Sequence, residues 1–556
     1  MSENPPYSLV PIPHDEELDG PIPDDASILD DPYIQPAQHE PPAADRAMGA
    51  TSRPNQRRAP TQSAELVEMA KKLYRMVKST EGKIYAVRHD LPGIAMPIKG
   101  TAGGLRNQLS TLYYSQKGRT ASSSAIQEMM MVLEGDAMIA PEEPVFLRFA
   151  ADQAGTHYID LGTPNGEAIA ITPEGWKIID TSPVLFRRTG LMSPMPRPAR
   201  GGNLEGFRNL LNVSESGFRL LVGWLVAACI TDIPHPILGL YGQQGTAKTT
   251  AMNTLITLIS PSPVPSQNVP DKADDWATNA YNAPVIGLDN VSSLKPSFQD
   301  ALCKAVTGDG YIKRENYSDS DVTVLHFRRV IALTTIDPGS LQGDVSDRLL
   351  KVDLEPIPES GRRTEKEVKA EFDSIRQSTH GVILDLLSAV LRVLPSVQLE
   401  KMPRMADFAR VLAAIDQVTE WQTLSDYLIR TESAALDVIE GNLFASAIRD
   451  LVEECGAWTG TTTELLEKIS PSPRPQNWPK TPGAAGGSLK RNTIALKSVG
   501  ITVTTHRTST SRRYTLSKAE IPLCQSCFEQ LHPSHVAQGV RVHPTCNEPT
   551  ELFDKD

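Results

Sequence analysis

The stretch of sequence that decides the fold is Ile237-Leu-Gly-Leu-Tyr-Gly-Gln-Gln-Gly-Thr-Ala-Lys-Thr-Thr250. An apolar run leads into a glycine-rich turn, and a lysine and a threonine then open a second apolar-patterned segment. This strand–loop–helix order is typical of a nucleotide phosphate cradle, because small residues let backbone N–H groups point at phosphates and a helix N-terminus favours negative charge. The spacing is that of a P-loop, in which Lys248 reaches the β- and γ-phosphates and the Thr249 hydroxyl ligates Mg²⁺.

One position departs from the standard P-loop. Ala247 stands where the second glycine is usual, and since a methyl group is a small addition we expect only a slight perturbation. The sequence therefore predicts a variant P-loop; the alternative is an ordinary glycine-containing turn before a helix. The residues predicted to contact the nucleotide are Gly242, Gln243, Gln244, Gly245, Thr246, Ala247, Lys248, Thr249 and Thr250.

A second motif strengthens the nucleotide interpretation. Forty-one residues after Lys248, the apolar run Pro284-Val-Ile-Gly-Leu-Asp-Asn290 ends in an acid, as a Walker B strand does when its aspartate holds Mg²⁺. We therefore assign Asp289 to the metal and expect ATP and Mg²⁺ as cofactors. The next position often carries a glutamate that activates water, but here it is Asn290. An asparagine can orient a water but cannot accept its proton, so hydrolysis would be slow or would use another base.

Composition predicts several domains and an unstructured start. The 556 residues exceed what one hydrophobic core holds. Residues 1–49 contain eleven acidic residues, one arginine and ten prolines, and so carry −10 of the net charge of −12. That segment lacks apolar periodicity, and residues 1–60 are predicted to be a disordered acidic tail. The rest of the chain is close to neutral, which neither supports nor excludes a DNA partner.

The sequence favours a cytoplasmic protein with no membrane partner. Its first residues are polar and proline-rich, unlike a signal peptide, and the longest apolar run, residues 220–230, is too short to cross a bilayer. Six cysteines in so long a chain favour a reducing compartment. Cys229, Cys303 and Cys455 lie singly in helix-like segments and are expected to be inert core residues.

Hydrophobic periodicity divides the remaining chain. Residues 61–200 are predicted to form an α+β domain, with a helix whose apolar face runs from Leu66 to Val77 and strands at 142–149, 157–161 and 168–172. Asp160 and Trp176 are expected to be structural there, and no primase centre is evident. Residues 201–360 are predicted to form the ATPase core and residues 361–440 a helical lid.

Residues 200–360 resemble the superfamily 3 helicases of the AAA+ class, especially the primase–helicase ATPases of phages, plasmids and poxviruses. The resemblance rests on the P-loop, Leu288-Asp-Asn290, the block Lys304-Ala-Val-Thr-Gly-Asp-Gly310 with Lys313-Arg314, the strand 330–335, and Asp347-Arg348. It implies a multidomain α/β chain with an AAA+ core that assembles as a homo-oligomeric, hexameric ring and binds ATP between subunits. Because no primase centre is evident in residues 61–200, any primase is expected to be a separate protein.

The resemblance also assigns roles to individual residues. Arg348 matches the arginine that meets the neighbouring subunit's γ-phosphate; the alternative is a local ion pair with Asp344 or Asp347. Thr334 or Thr335 stands at the sensor position, where asparagine is usual. The hairpin between Walker B and the sensor strand faces DNA in the ring's channel, which implicates Lys313 and Arg314, although its tip, Ser318-Asp-Ser-Asp321, is acidic. The alternative for this pair is a solvated basic strand.

Residues 441–520 are predicted to form a winged-helix module. Helices at 443–454, 462–469 and 489–499 precede a hairpin at 501–505 and 513–516. Residues 488–518 contain seven Lys or Arg and no acid, a bias that supports phosphate contact, with a solvated basic face as the alternative. The predicted DNA contacts are Lys490, Arg491, Arg507, Arg512 and Arg513.

Residues 521–556 are predicted to form a zinc-binding tail. Cys524-Gln-Ser-Cys527 and His543-Pro-Thr-Cys546 offer two close pairs of ligands, which suit a closed tetrahedral, structural Zn²⁺ site. His532 and His535 are rival ligands, and the alternative is scattered cysteines in a disordered tail. A metal would explain how so short a segment folds.

Together these features predict an ATPase of a phage or mobile element that acts as a helicase or translocase on single-stranded or forked DNA during replication, in a bacterial or phage-infected cytoplasm. The rival interpretation is an ATP-regulated DNA-binding switch or initiator without unwinding activity, which Asn290 keeps open. A third is an ATPase that acts on protein in assembly or host defence.

Overall fold

The computed structural model of the protein describes residues 60–518, apart from 101–103, 293, 315–321, 337–342, 401, 476–477 and 508–511. The predicted acidic tail and all predicted zinc ligands lie outside the described residues.

Residues 60–146 combine three helices with a small mixed sheet. The helices are α1 (Gln62–Leu73), α2 (Leu105–Lys117) and α3 (Ser123–Ile139). The strands are β1 (Tyr74–Ser79), β2 (Ile84–Arg88), β3 (Ala95–Pro97), β4 (Glu142–Glu143) and β5 (Val145–Phe146). Their order in the four-stranded sheet is β3-β2-β1-β4.

The predicted apolar helix face to Val77 is wrong in its last turn. The helix ends at Leu73, and Tyr74 has the extended φ of −131° that begins β1. Tyr74 and Val77 pair in antiparallel register with Arg88 and Tyr85 of β2. Aromatic and β-branched residues favour such a pleated, half-buried surface, so strand pairing outweighs the helical spacing here.

A four-stranded antiparallel meander follows. Its strands are β6 (Phe149–Ala151), β7 (His157–Asp160), β8 (Ala168–Thr172) and β9 (Gly175–Ile179), in the order β6-β7-β8-β9. A short strand, β10 (Leu185–Phe186), pairs in parallel with β5. The expected single strand over residues 142–149 is therefore three short ones, while the two following strands lie where the alternation predicts them.

A five-stranded parallel sheet forms the centre of the next region. Its helices are α4 (Glu205–Asn209), α5 (Glu215–Ala228), α6 (Lys248–Ile259), α7 (Ala273–Asn282) and α8 (Pro296–Thr307). Its strands are β11 (Ile237–Tyr241), β12 (Ser266–Gln267), β13 (Val285–Leu288), β16 (Val330–Thr335) and β17 (Leu349–Asp353), with the separate hairpin β14 (Tyr311–Arg314) and β15 (Val322–Leu325). The order is β12-β13-β16-β11-β17. Every residue of β11, β13 and β16 is buried, as expected for a sheet covered on both faces.

Three helices complete this region: α9 (Glu365–Val393), α10 (Ala406–Val418) and α11 (Thr423–Gly441). A capping box of Thr364 and Glu367 fixes the start of α9. With the turn that follows it, α9 is the one helix in the described ranges long and apolar enough to cross a membrane, and half of its apolar window is buried in the fold. It packs on α5, α6, β8 and β9, so burial in the core explains its apolar composition.

The apolar core does not follow the boundaries expected at residues 200 and 360. One buried cluster joins the meander (Phe149, Ile169), the parallel sheet region (Leu255) and the helices after it (Leu387, Leu412). The expected structural residues support this junction. The Trp176 indole donates to the Asp385 carboxylate of α9 at 2.7 Å, and Asp160 forms an ion pair with Arg188 at 2.7 Å.

The last described region has its own core. Its elements are α12 (Leu443–Cys455), β18 (Ala457–Gly460), α13 (Thr462–Ile469), α14 (Pro482–Arg491), α15 (Thr493–Ser498), β19 (Ile501–Arg507) and β20 (Arg512–Lys518). The strands form an antiparallel sheet in the order β18-β20-β19.

Two expectations about this region are wrong. The helix expected over residues 489–499 is divided at Asn492, whose buried side-chain amide donates to the Ser488 carbonyl oxygen at 2.8 Å. Such local side-chain bonds compete with a continuous helix. Cys455 is exposed at the end of α12, whereas Cys229 and Cys303 are buried as expected.

A glycine substitution tests the packing of α9. A Cβ at Gly381 would collide with the carbonyl oxygen of Ala199, so Gly381→Ala must displace backbone and should lower the free energy of unfolding by about 2 kcal/mol or more. Gly135→Ala is the matched control, since that exposed position of α3 has open space around it, and should raise it by about 0.5–1 kcal/mol. Urea midpoints of the two variants measure both effects, and equal midpoints would contradict this packing.

Candidate nucleotide site and nucleic-acid surfaces

Strand order brings the two sequence motifs together. β13 and β11 both pair in parallel with β16, so their carboxyl ends lie at one edge of the sheet. The predicted P-loop follows β11 and Asp289 follows β13 at that edge. The Thr249 hydroxyl donates to the Asp289 carboxylate, with Oγ1–Oδ1 and Oγ1–Oδ2 distances of 2.9 and 3.1 Å. The hydroxyl and the carboxylate predicted to hold Mg²⁺ are therefore neighbours.

Thr334 is the sensor-position threonine that reaches this site. Its hydroxyl donates to Asp289 Oδ1 at 2.6 Å and accepts from the backbone N–H of Asn290 at 2.8 Å. The Val291 N–H donates to the Thr334 carbonyl oxygen at 2.8 Å. Asp289 thus accepts from two threonine hydroxyls, which fix the orientation of its carboxylate. Of the two expected candidates, Thr334 rather than Thr335 makes these contacts.

The Lys248 amine lies over the loop. Its Nζ donates to the carbonyl oxygens of Gly242 and Gln243, each at 2.8 Å. Burial lowers the pKa of this amine, and the negative charge of Asp289 opposes that shift. A lysine whose partners are neutral carbonyls can exchange them for phosphate oxygens without breaking an ion pair. The residues present therefore fit ATP–Mg²⁺: backbone donors, one cation, and a hydroxyl–carboxylate pair for the metal.

The glycines of the loop have separate roles. A Cβ at Gly242 would lie 2.6 Å from the Thr246 hydroxyl oxygen, which is buried and donates to the Gln243 carbonyl oxygen at 3.0 Å. Gly245 has φ +87° and open space around its Cα, so it supplies the left-handed turn and leaves room beside the backbone.

The main cost of alanine at position 247 comes from its backbone conformation and not from the volume of its methyl group. Ala247 is the N-cap of α6, with φ 59° and ψ 33°. This left-handed conformation costs an alanine about 1–2 kcal/mol and costs glycine almost nothing. The expectation of a slight perturbation is therefore wrong in its cause: the strain is in the backbone torsion and not in the space around the methyl.

Asn290 also has a left-handed conformation, with φ 53°, which asparagine tolerates better than most residues. Its backbone N–H is committed to Thr334, while its side chain is exposed beside Asp289. The site thus offers an amide, and no carboxylate, at the position after Asp289, the aspartate predicted to hold Mg²⁺.

Arg348 lies at the amino ends of the parallel strands, whereas the P-loop of the same chain lies at their carboxyl ends. Arg348 ends a short 3₁₀ helix, Gly343–Arg348, directly before β17. β17 runs parallel to β11 with Leu349 opposite Ile237, so Arg348 is six residue steps, or about 20 Å at about 3.3 Å per residue, from the loop that follows Tyr241. The Arg348 side chain is 7% exposed in the single chain.

The predicted hairpin contacts can be located only by backbone. Lys313 and Arg314 lie in β14, where they pair with Thr323 and Val322 of β15. Their side chains and the acidic tip lie outside the described residues.

Two of the five basic residues predicted to contact DNA, Lys490 and Arg512, line a groove. Lys490 and Arg491 end α14, and Arg507 and Arg512 lie opposite each other in β19 and β20; all four are exposed. Arg513 instead lies 3.7 Å from the Glu464 carboxylate. A groove of about 680 Å³ lies between α14 and the β19–β20 pair, and its lining includes Gly483, Gly486, Gly487, Lys490 and Arg512.

Arg430 is a further residue near this site that was not predicted from the sequence. This α11 residue donates to the hydroxyls of Ser214 and Ser216, at 3.3 and 2.9 Å, and lies 3.7 Å from the Asp353 carboxylate. Asp353 pairs with Tyr241, the last residue before the P-loop, so Arg430 ties α11 to that edge. A single arginine on an amphipathic helix gives no signal of this role in the sequence.

The zinc prediction cannot be located in the structure, because Cys524, Cys527, His543 and Cys546, and the rivals His532 and His535, lie outside the described residues. Within residues 60–518, where described, there is no group of three or more His, Cys, Asp or Glu side chains placed to hold a metal ion.

Two family models match neighbouring stretches of the chain. Residues 205–439 match the model described as actinomycete integrative conjugative element replication protein, and residues 444–528 match the AICE RepA C-terminal domain. These matches support a role in the replication of a mobile element, as the sequence predicts. Helicase activity stays a prediction.

Solved structures show only distant similarity. An apo structure of the NrS-1 C-terminal region is 12% identical with a TM-score of 0.36, covering 83% of this chain and 100% of its own. A structure of JCV helicase bound to a small molecule is 15% identical with a TM-score of 0.21, covering 42% of this chain and 72% of its own. These values are too low to transfer a function. No curated protein sequence matches the chain.

The strain at Ala247 has a measurable consequence. Ala247→Gly should raise the free energy of unfolding by about 0.5–1 kcal/mol, because relief of the left-handed torsion exceeds the extra chain entropy of glycine. Ala251→Gly, inside the same helix, should lower it by about 1 kcal/mol or more. Denaturant titration of both variants checks the opposite signs, and a loss at both positions would contradict the assigned backbone conformation.

Proposed function

We propose that this chain, whose residues 205–439 and 444–528 match replication proteins of an integrative conjugative element, is an ATP-driven DNA helicase or translocase that acts in replication of the element. The strongest support comes from two hydrogen bonds at the carboxyl ends of the parallel strands. The hydroxyls of Thr249 and Thr334 both donate to the Asp289 carboxylate beside the P-loop.

The residues of this edge divide the work of phosphate and metal binding. Lys248 would exchange its two loop carbonyls for phosphate oxygens and offset their negative charge. Thr249 and Asp289 would hold Mg²⁺, which supplies charge neutralisation on the phosphates. Thr334 keeps the Asp289 carboxylate in one orientation. Asn290 would position the attacking water through its exposed amide, and the proton would leave to solvent or to another base.

A second subunit would complete the site. Arg348 lies at the sheet edge opposite its own P-loop, so it can meet a γ-phosphate only in a neighbour. We therefore propose a homo-oligomeric, hexameric ring. Because the Arg348 side chain is buried in the single chain, this role requires the 3₁₀ helix before β17 to expose it on assembly.

Two surfaces would contact DNA. The helix–strand–helix–helix–helix–strand–strand order of residues 443–518 supports a winged-helix module, and the groove between α14 and the β19–β20 pair carries Lys490 and Arg512, which suit phosphate contact. Lys313 and Arg314 on β14 would face single-stranded DNA in the channel of the ring. A structural Zn²⁺ on Cys524, Cys527, His543 and Cys546 stays a prediction from spacing.

The rival function is an ATP-regulated DNA-binding switch or initiator. The exposed Asn290 favours it, since an amide cannot take the proton of the attacking water. Strand displacement on forked DNA separates the two: a motor unwinds the fork only with hydrolysable ATP, whereas a switch binds the same DNA with either ATP or a non-hydrolysable analogue and leaves the strands paired.

The first functional prediction concerns Lys248. Lys248→Ala should reduce ATP turnover about 100-fold or more, because one preorganised charge on the transferring phosphate is lost, while the fold is unchanged. Lys366→Ala, an exposed lysine at the start of α9, is the control and should keep full turnover. Steady-state ATPase assays on the purified chains measure this, and normal turnover in Lys248→Ala would refute the P-loop assignment.

The second concerns Arg348. Arg348→Ala and Lys248→Ala subunits should each be inactive alone, and their mixture should regain ATP turnover, because some mixed interfaces keep both residues. Arg363→Ala, which loses an ion pair with Glu371 at another surface, should be active without mixing. If mixed oligomers form and no turnover returns, Arg348 does not act across the interface.

A further inference from the structure

A small cleft lies at the edge of the central sheet opposite the P-loop. It has a volume of about 210 Å³ and is lined from one side by β5, Arg148 and Arg187, and from the other by residues around Pro284 and Arg328 to Val330. Val330 is the first residue of β16, whose six residues end beside the nucleotide edge. We call this the junction cleft, because its walls come from both the N-terminal region and the parallel sheet region.

Four arginines line the junction cleft, and most of their partners are uncharged. The Arg148 guanidinium donates to the carbonyl oxygens of Asp160 and Ser193, at 2.8 and 2.7 Å. The Arg187 guanidinium donates to the Tyr281 carbonyl oxygen and to the Asn282 side-chain oxygen. Such acceptors satisfy N–H groups but do not offset a buried positive charge.

The other two arginines follow the same pattern. Arg329 donates to the carbonyl oxygens of Ala280 and Tyr281. Arg328 makes only long contacts, 3.5 Å to the Thr231 carbonyl oxygen and 3.3 Å to that of Thr307. The acids that line the cleft are Glu81 and Asp232, so the arginines outnumber them two to one.

Two of these guanidinium groups each have one buried nitrogen without a hydrogen-bond partner among the described residues. Among the described residues, the Nε atoms of Arg148 and Arg328 have no hydrogen-bond partner, and Arg148 is fully buried. Burial lowers the pKa of Arg148 to about 10, and burial together with the charge of Arg187 lowers the pKa of Arg329 to about 9; both stay charged at neutral pH. His235 adds no charge, because burial lowers its pKa to about 4.

Size and access limit the ligand. A volume of about 210 Å³ is below the roughly 300–1,000 Å³ of pockets that enclose drug-sized molecules, so a whole nucleotide does not fit. The exposed side chains of Glu81 and His326 stand at the mouth, which leaves the cleft open to solvent. Arginine forks suit the tetrahedral oxygens of a phosphate group.

We propose that the junction cleft binds a phosphate group, either of a free anion such as pyrophosphate or of a nucleic-acid backbone. Bound there, the anion offsets the surplus charge of the arginines and links the N-terminal region to the amino edge of the central sheet, next to the base of the β14–β15 hairpin. This inference does not depend on the proposed motor activity.

Calorimetric titration with pyrophosphate tests the site. All proteins compared are full chains that also carry Lys248→Ala, and the buffer contains no Mg²⁺. Pyrophosphate binding at the P-loop then does not contribute to the measured heat. Arg328→Gln should weaken the pyrophosphate Kd about ten-fold or more, since a charge-assisted bond is lost. Arg392→Gln is the matched control, because that guanidinium also donates to a backbone carbonyl oxygen, of Pro173, but away from the cleft; its Kd should be unchanged.

Two more variants keep the test decisive. Arg328→Lys preserves the charge but loses the planar fork, so its pyrophosphate affinity should lie between those of the parent chain and Arg328→Gln. His326→Glu changes an exposed side chain at the mouth and should weaken binding even if Arg328→Gln does not fold. Equal pyrophosphate affinity in the parent chain, His326→Glu and a folded Arg328→Gln would overturn the proposal.

Competition identifies the source of the phosphate. If a single-stranded oligonucleotide displaces pyrophosphate and its uncharged methylphosphonate counterpart does not, the cleft binds a backbone phosphate. If neither displaces pyrophosphate while the Arg328→Gln effect holds, the cleft binds a free anion. Both outcomes support a phosphate site.

Discussion

The parallel register of β11, β13 and β16 is the constraint on which the rest of the structure depends. Because the three strands are neighbours and point the same way, the residues after them meet at one edge although they are about 40 residues apart in sequence. Asp289 is the centre of that edge, since it accepts from Thr249 and Thr334. An antiparallel β13 would place the carboxylate at the far edge and separate it from the P-loop.

The candidate site could largely be predicted from the sequence, because its signals are local. Each of its motifs can be recognised within a few residues: the glycine spacing, the lysine–threonine pair, and the apolar strand that ends in an acid. Fully buried strands also give continuous apolar runs in the sequence. The same holds for β16 and α13, whose bounds agree with the expected ones. Thr334 could be separated from Thr335 only by the contacts that strand pairing creates.

What could not be predicted depends on torsions and on long-range packing. The left-handed backbone of Ala247 is invisible in the residue type, and Tyr74 leaves the helix because β2 offers it a strand partner. The meander joins the core of the parallel sheet through contacts such as Trp176 with Asp385, 209 residues apart, so periodicity alone placed a boundary where none separates the cores. Arg430 and the arginines of the junction cleft belong to no sequence motif. Their roles can be inferred only from the positions that the fold gives them.

The two edges of the central sheet bear complementary groups. The carboxyl edge presents one lysine with a carboxylate and two hydroxyls, and the amino edge presents Arg348 and the junction cleft. In the register of β17 with β11, Arg348 and the loop that follows Tyr241 are six residue steps, about 20 Å, apart, too far for one chain to bring Arg348 to its own P-loop. A contact of one chain's amino edge with the next chain's carboxyl edge is head-to-tail, and such contacts close into rings when the rotation per subunit allows. The sheet direction that places Asp289 beside the predicted P-loop within one chain is therefore also the feature on which the proposed role of Arg348 in a neighbouring subunit depends.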